Sequence, residues 1–347
     1  MFKEIEFEGN DGPDLRSLLK MFFGVVLGGM AAFLLLMVAR SGSWSTLLVS
    51  GEPRREDEDE QPEESAGAAD EPAAEEGASA SDDTVELFGF DWLEGYATTH
   101  QGLVRSENQD RFLLDVGREG VLALVADGMG GHSGGSVASS VAVKTIGGML
   151  GKLDSYEAKA VHRAMHDSFE RADEAIRHRA SKELKLQGMG TTAVAAVITK
   201  DFAVHAYTGD SRLYHFRDGE VIYRTQDHSV VRYLQEEGLV SEEEARTHPM
   251  RSRLTSSLGG SPPERKVLVE PAWKKKSRTQ AAVLDFQPGD VLLLCSDGLN
   301  GEVDPGVLER IVAEQGDNLK TCVQALLNEA LEAGGRDNVT ILALRRR

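Results

Sequence analysis

From about Leu87 to the end of the 347-residue chain, short apolar runs alternate with polar stretches punctuated by glycine. Runs of this length bounded by turn residues read as strands. On that pattern strands are predicted at 95–101, 111–115, 121–126, 191–199, 202–208, 211–216, 220–225, 281–285 and 290–295, with a last one through NVTILAL. Apolar residues spaced three and four apart predict helices at 134–150, 155–183, 229–237, 305–314 and 318–333. AVITK-DFAVHAY and YHFRDGEVIYR place two strands on either side of a short turn and predict antiparallel hairpins. Helices cluster between groups of strands instead of following each one. That order argues for α+β over a doubly wound parallel sheet.

The N-terminal quarter has two other textures. Met21 to Ala39, MFFGVVLGGMAAFLLLMVA, is nineteen residues without a charge. At about 1.5 Å per residue it covers the roughly 30 Å of a bilayer core. A buried helix of that length would carry a polar face. A cleaved signal peptide would lack the five acids that precede this run and would be followed by a small-x-small site. We expect a single transmembrane helix at 21–39, after an N-terminal segment at 1–20. Gly24 and Gly28 form a GxxxG, the basis for a weak transmembrane dimer. Residues 40–86 are expected to be an acidic, disordered linker, because they are poor in large apolar groups and cannot offset their ordering entropy.

Charge follows the same division. The formal net charge is −19, but residues 51–86 hold fifteen Asp or Glu against Arg54 and Arg55, a net of −13. The folded part is close to balanced and carries no basic surface for nucleic acid. Two cysteines, Cys295 and Cys322, exclude a disulfide framework and fit a reducing compartment. Cys295 sits within VLLLCSD and reads as a small buried apolar residue.

The chemistry is at the strand ends. Asp110 in GLVRSENQD, Asp127 in VADGMGGHSGG, Asp210 in YTGDSR, Asp297 in CSDGL and Asp337 in GGRDNVT come from distant parts of the chain. Asp127, Asp210 and Asp297 follow apolar runs directly, and Asp337 precedes one. One such aspartate is a turn; several at rigid strand ends suggest carboxylates gathered at one place. Clustered carboxylates repel unless a cation neutralises them. A set rich in Asp and poor in His suits Mg²⁺ or Mn²⁺ over zinc. Two such ions side by side favour phosphate chemistry.

These motifs, with GMGTT and DHS, stand in the order found in the metal-dependent protein phosphatases, the type 2C serine/threonine family. The chain resembles that family, in its bacterial branch, over roughly residues 95–345. The resemblance implies a four-layer αββα sandwich, two antiparallel sheets flanked by helices, in a catalytic domain at 87–347. It implies two Mn²⁺ or Mg²⁺ ions and a third, weaker one. Carried over by position, Asp127 bridges two metals, with the Gly128 carbonyl on one of them. Asp297 and Asp337 complete the other, and Asp110 acts through water. Asp210 helps bind the third ion with Asp297, and Arg105 grips the substrate phosphate. Gly188 to Thr192 and Asn338 are supporting elements. The implied partners are proteins bearing phosphoserine or phosphothreonine and a cognate serine/threonine kinase system. With lipid contacts at 21–39, the protein is then a single-pass cell-membrane protein with its catalytic domain in the cytoplasm.

Two positions depart from the family pattern. Gln109 stands where eukaryotic relatives often have an acid, and Met129 where many have the histidine proposed as general acid. His132, three residues on, is the catalytic candidate in its place; an ordinary loop histidine is the competing reading, and the general acid stays unassigned. The functional alternative is a catalytically weak sensing or partner-binding domain, which would be expected to lose metal carboxylates. Residues 230–260 are expected to form a flap beside the site, with Ser241 and Glu244 starting a helix.

Overall fold

A computed structural model describes residues 84–131, 133–260, 266–275, 277 and 279–347. The expected membrane helix at 21–39, with Gly24 and Gly28, lies outside the described residues, as does all but the end of the linker. Among the described residues no helix is long and apolar enough to cross a membrane.

The strands are β1 (Thr84–Phe90), β2 (Leu93–His100), β3 (Asp110–Val116), β4 (Val121–Met129), β5 (Gly190–Thr191), β6 (Ala193–Ile198), β7 (Phe202–Thr208), β8 (Arg212–Arg217), β9 (Glu220–Arg224), β10 (Val283–Asp285), β11 (Val291–Cys295) and β12 (Val339–Arg346). They form two sheets, ordered β1-β2-β12-β11-β8-β9 and β10-β7-β6-β4-β3, with β5 beside β4. Every pairing is antiparallel. Helices α1 (Gly134–Leu150) and α2 (Ala158–Lys182) follow β4. Helices α3 (Val230–Glu236) and α4 (Glu242–Thr247) follow β9. Helices α5 (Asp297–Asn300), α6 (Pro305–Gln315) and α7 (Leu319–Glu332) lie between β11 and β12.

Strand alternation builds three cores, and three cores need four layers. On β4, Leu122, Leu124 and Ala126 pack towards α1 and α2, while Val121, Ala123 and Val125 pack between the sheets. On β11, Val291, Leu293 and Cys295 face α6 and α7, and Leu292 and Leu294 face the other sheet. Both faces of these strands are therefore covered, which is why they read as unbroken apolar runs. All three cores lie within residues 84–347, so this part carries the apolar burial that folding needs.

The α+β architecture with two antiparallel sheets and flanking helices agrees with the sequence reading. One strand differs: β1 pairs with β2, with Thr84 opposite Thr98, and the expected linker boundary at 86 falls inside it. TVELFG mixes polar and apolar residues directly after the acidic segment, and the strand it forms has a single neighbour, β2, at the sheet edge. Burial pushes the Cys295 thiol up to about 12, in keeping with a core residue that takes no part in chemistry.

Candidate active site

All five aspartates sit within two residues of a strand end; Asp127 is two residues short of the end of β4, and Asp337 lies two residues before β12. Asp110 is the first residue of β3 and lies directly opposite Asp127 of β4 in the antiparallel register. Like charges facing each other across a strand pair are destabilising, so the pairing needs a functional reason. Asp210 lies in the turn between β7 and β8. Asp297 opens α5 immediately after β11.

The surrounding motifs hold backbone against backbone. A Cβ on Gly128 would come within 2.2 Å of the Gly135 carbonyl oxygen, and one on Gly298 within 2.0 Å of that of Asn338. Any side chain at Gly298 would push the Asp297 turn off the Asp337–Asn338 segment. The Thr192 amide and the Thr191 hydroxyl donate to the Asp127 carbonyl at 2.9 and 2.8 Å, and the Asp127 amide donates to Thr192 Oγ1 at 3.1 Å. GMGTT is thus the clamp on the backbone of Asp127. Asn338 ties the GLVRSENQD loop: its Oδ1 accepts from the Gln109 amide at 2.8 Å, and its Nδ2 donates to the Gln101 and Glu107 carbonyls at 2.7 and 2.9 Å.

Asp110 joins the two sheets. Its Oδ2 accepts from Ser296 Oγ at 2.7 Å and Thr340 Oγ1 at 2.8 Å, both delivered by the opposite sheet. Its Oδ1 is buried with no hydrogen-bond partner, and so is Oδ1 of Asp297. A buried, unsatisfied carboxylate oxygen is costly. Burial, opposed by the Ser296 and Thr340 hydroxyls, pushes the Asp110 carboxyl up to about 7, with the charges of Asp297 and Asp337 adding to the rise. Burial and the Asp337 charge raise Asp297 to about 6. Asp127 lies well above the usual carboxylate range, through burial first and then the charges of Asp110, Asp297, Asp210 and Asp337. Asp210 is raised by burial and by Asp297 and Asp227.

Among the described residues no three His, Cys, Asp or Glu side chains stand at ligand spacing as they are. The donor chemistry nonetheless fits a hard divalent cation. The five groups are all oxygen donors, the carboxyls of Asp127, Asp110 and Asp297 are raised by burial first and then by neighbouring aspartate charge, and two of their oxygens have no partner. Such an ion would remove the repulsion that holds the protons on.

Arg105 is placed over this set. Its Nη2 donates to Asp337 Oδ2 at 2.6 Å, and the side chain remains half exposed. Arg105, Asp210, Asp297 and Asp337 line one cleft of about 580 Å³ with residues of α3 and α4, including Arg232 and Arg246, so residues 230–260 do border the site. The expected capping box is present, with the Ser241 hydroxyl accepting from the Glu244 amide and the Glu244 carboxylate accepting from the Ser241 amide. Arg246 anchors α4 to Asp304 at 2.5 Å. His132 lies outside the described residues.

Sequence reasoning missed the ionic wall of the cleft. Asp227 and Arg212 form a two-bonded fork at 2.7 and 2.7 Å beside Asp210, and Arg336 forks Glu302 at 2.9 and 2.6 Å. DHS and GDSR mark the first pair in the sequence, but nothing local says that they meet.

Comparison with known proteins decides the family. The protein phosphatase 2C family model matches residues 95–332. The chain belongs to the protein phosphatase 2C family. A serine/threonine phosphatase of Listeria welshimeri is 33% identical over 250 residues, covering 72% of this chain and 94% of its own length. The serine/threonine protein phosphatase PstP of Mycobacterium tuberculosis is 35% identical over 248 residues, 71% of this chain but 43% of that protein. The solved serine/threonine phosphatase of S. agalactiae superposes with a TM-score of 0.66 at 30% identity, covering 74% of this chain and 100% of its own. The PstP catalytic domain, solved with two manganese ions, gives a TM-score of 0.58 at 29% identity, covering 73% of this chain and 98% of its own.

Proposed function

We propose that the chain hydrolyses phosphoserine and phosphothreonine in proteins, with two Mn²⁺ or Mg²⁺ ions, opposing a serine/threonine kinase at the cytoplasmic face of the cell membrane. One observation carries the reading: a cluster of largely buried aspartates with raised carboxyls, two of them with orphaned oxygens, beside a cleft that Asp210, Asp297, Asp337 and Arg105 line. A domain kept only for partner binding has no use for repelling carboxylates that cost stability. The kinship to named serine/threonine phosphatases supports the same substrate class.

Asp127, the Gly128 carbonyl, Asp297 and Asp337 would hold the two ions, with Asp110 acting through water and Asp210 with Asp297 serving a third, weaker one. Bound there, the ions supply a nucleophilic water at neutral pH and offset charge growing on phosphorus. The chain's own groups do the rest. Arg105 turns its planar fork from Asp337 to two phosphate oxygens. Asn338 holds the loop that carries Arg105. Ser296 and Thr340 keep Asp110 at the sheet junction, and the Thr191–Thr192 clamp fixes the direction of the Asp127 side chain. His132 is the candidate proton donor to the departing alkoxide. Met21–Ala39 would anchor the domain through the acidic linker, with Gly24 and Gly28 favouring weak pairing.

Residues 84–347 should hydrolyse phosphothreonine peptides and p-nitrophenyl phosphate with Mn²⁺ or Mg²⁺ and stop in EDTA. Full activity in EDTA would overturn the reading.

A further inference from the structure

The loop that carries Arg105 presents two large apolar side chains to solvent. Leu103 is 65% exposed and Val104 67%. Among the described residues nine large hydrophobic side chains are exposed, and these two are the one pair adjacent in sequence. A lone exposed leucine needs no explanation, whereas a contiguous apolar patch does. Half-buried Leu331 of α7 extends the pair. It and Leu103 both lie against Gly335, where a Cβ would come within 2.9 Å of Leu103 Cγ and 3.1 Å of Leu331 Cδ2.

The backbone beneath the patch is fixed. The Leu103 amide donates to the Gly335 carbonyl at 2.7 Å, the Gly102 amide to His100 Nδ1 at 2.8 Å, and Gln101 Nε2 to the Arg105 carbonyl at 2.7 Å. Gly102 has a φ of +82°, and a Cβ there would lie 2.2 Å from the Asp337 carbonyl oxygen. Asn338 holds the Gln101 and Glu107 carbonyls on either side. Neither apolar side chain can be drawn inward without breaking these bonds. A ligand that covers them gains the burial with little ordering entropy to offset.

What covers them follows from Arg105 next door. A phosphorylated residue gripped by Arg105 brings its own neighbours across the same loop. An extended peptide advances about 3.3 Å per residue, so residues two and three from the phosphosite pass roughly 7–10 Å along it. The cleft itself is lined by charge, with Arg224, Arg232, Arg251 and Glu242 beyond the metal carboxylates. An apolar side chain of the substrate therefore has its favourable place outside the cleft, on the Leu103–Val104 lip.

We propose that Leu103 and Val104 are specificity-determining residues. They select phosphoproteins with a large aliphatic or aromatic side chain two or three residues from the phosphoserine or phosphothreonine. The inference rests on the phosphatase reading above and adds the sequence context of its substrates.

The test uses phosphothreonine peptides of alanine and serine in which one leucine is moved from three residues before the phosphothreonine to three after it. The enzyme is residues 84–347, which hold all three cores. The native protein should hydrolyse the best-placed peptide with kcat/KM about fivefold to tenfold above the leucine-free peptide. The gain should come chiefly through a lower KM, because the contact persists from bound substrate to transition state. Val104→Ser and Leu103→Ser should each lose most of it, and Val104→Ile and Leu103→Met should keep it. p-Nitrophenyl phosphate has no flanking residues and should be turned over equally by all of them, which shows that the fold and the aspartate centre are intact. Equal kcat/KM for every leucine position, or a preference unchanged in Val104→Ser, overturns the proposal while p-nitrophenyl phosphate hydrolysis stands. No hydrolysis of any substrate in Mn²⁺ overturns the phosphatase reading and this inference with it. A native dimer that Val104→Ser dissociates, without a leucine preference, assigns the pair to a second copy of the chain instead. Val104→Ser decides the matter if Leu103→Ser, which loses packing on Gly335, does not fold.

Discussion

Asp127→Asn should make the metal-free protein more stable and, in the same stroke, inactive. Asp127 faces Asp110 across β3 and β4 and is close enough to Asp297, Asp210 and Asp337 for each to raise it. One pKa unit corresponds to about 1.4 kcal/mol. Asp110 alone moves from 3.8 to about 7, so ionising one such group costs on the order of 4 kcal/mol before relaxation. An amide at 127 can still donate to Asp297, the bond Asp127 makes when protonated. Recovering about half of that cost gives a gain of about 2 kcal/mol at pH 8. The sign follows from linkage. These carboxyls are raised in the folded state, so the folded protein binds protons more tightly than the unfolded chain. Their stabilising share is complete below about pH 4 and is lost as pH rises through about 6 for Asp297 and about 7 for Asp110. In EDTA the native protein should therefore lose stability from about pH 4 to pH 8. The variant should lose less, and the two should converge at the acid end. Urea denaturation of both proteins in EDTA at the two ends of that range measures this, with turnover in Mn²⁺ alongside. A variant no more stable than the native protein at the alkaline end would refute the electrostatic account.

Arg105→Ala removes a charge-assisted phosphate contact worth about 1.5–3 kcal/mol, so KM for a phosphopeptide should rise about tenfold or more, with kcat reduced less; Arg105→Lys should recover only part of it. Asn338→Ala breaks three hydrogen bonds at a buried residue and should cost about 2–3 kcal/mol in thermal or urea unfolding, with activity falling because the Arg105 loop loosens. Full-length protein should stay with membranes through carbonate extraction, whereas residues 84–347 should be released; a carbonate-soluble full-length chain would remove the anchor at 21–39.

The sequence was most readable where one local rule sufficed. Alternation and continuous apolar runs located β4, β6 and β11 because both faces of those strands are covered. The Asp-Gly pairs marked the site because glycine is needed for backbone to touch backbone at Gly128 and Gly298. What stayed hidden depends on distant partners. Nothing within TVELFG says that β2 has an open edge for it, and nothing near Arg336 points to Glu302. Ser296 and Thr340 look like ordinary strand-end hydroxyls until Asp110 is placed between them. The expectation that no two histidines stand at a His-x-x-x-His spacing was mistaken, since His162 and His166 do, and that both meet the Pro271 carbonyl depends on a distant segment.

The placement of Asp110 carries a consequence for biogenesis. One pair of site carboxylates, Asp110 and Asp127, belongs to one sheet, while Asp297 and Asp337 are delivered by the other. Each sheet alone holds two of these four carboxylates, and the Ser296–Asp110–Thr340 junction forms only when the sheets close on each other. A nascent or partly opened chain therefore has no hydrolytic centre to misuse on cellular phosphoproteins. Cation uptake should be among the last events of maturation, and the loaded ion should act as a clasp across the sandwich, slowing amide exchange on both sheets at once.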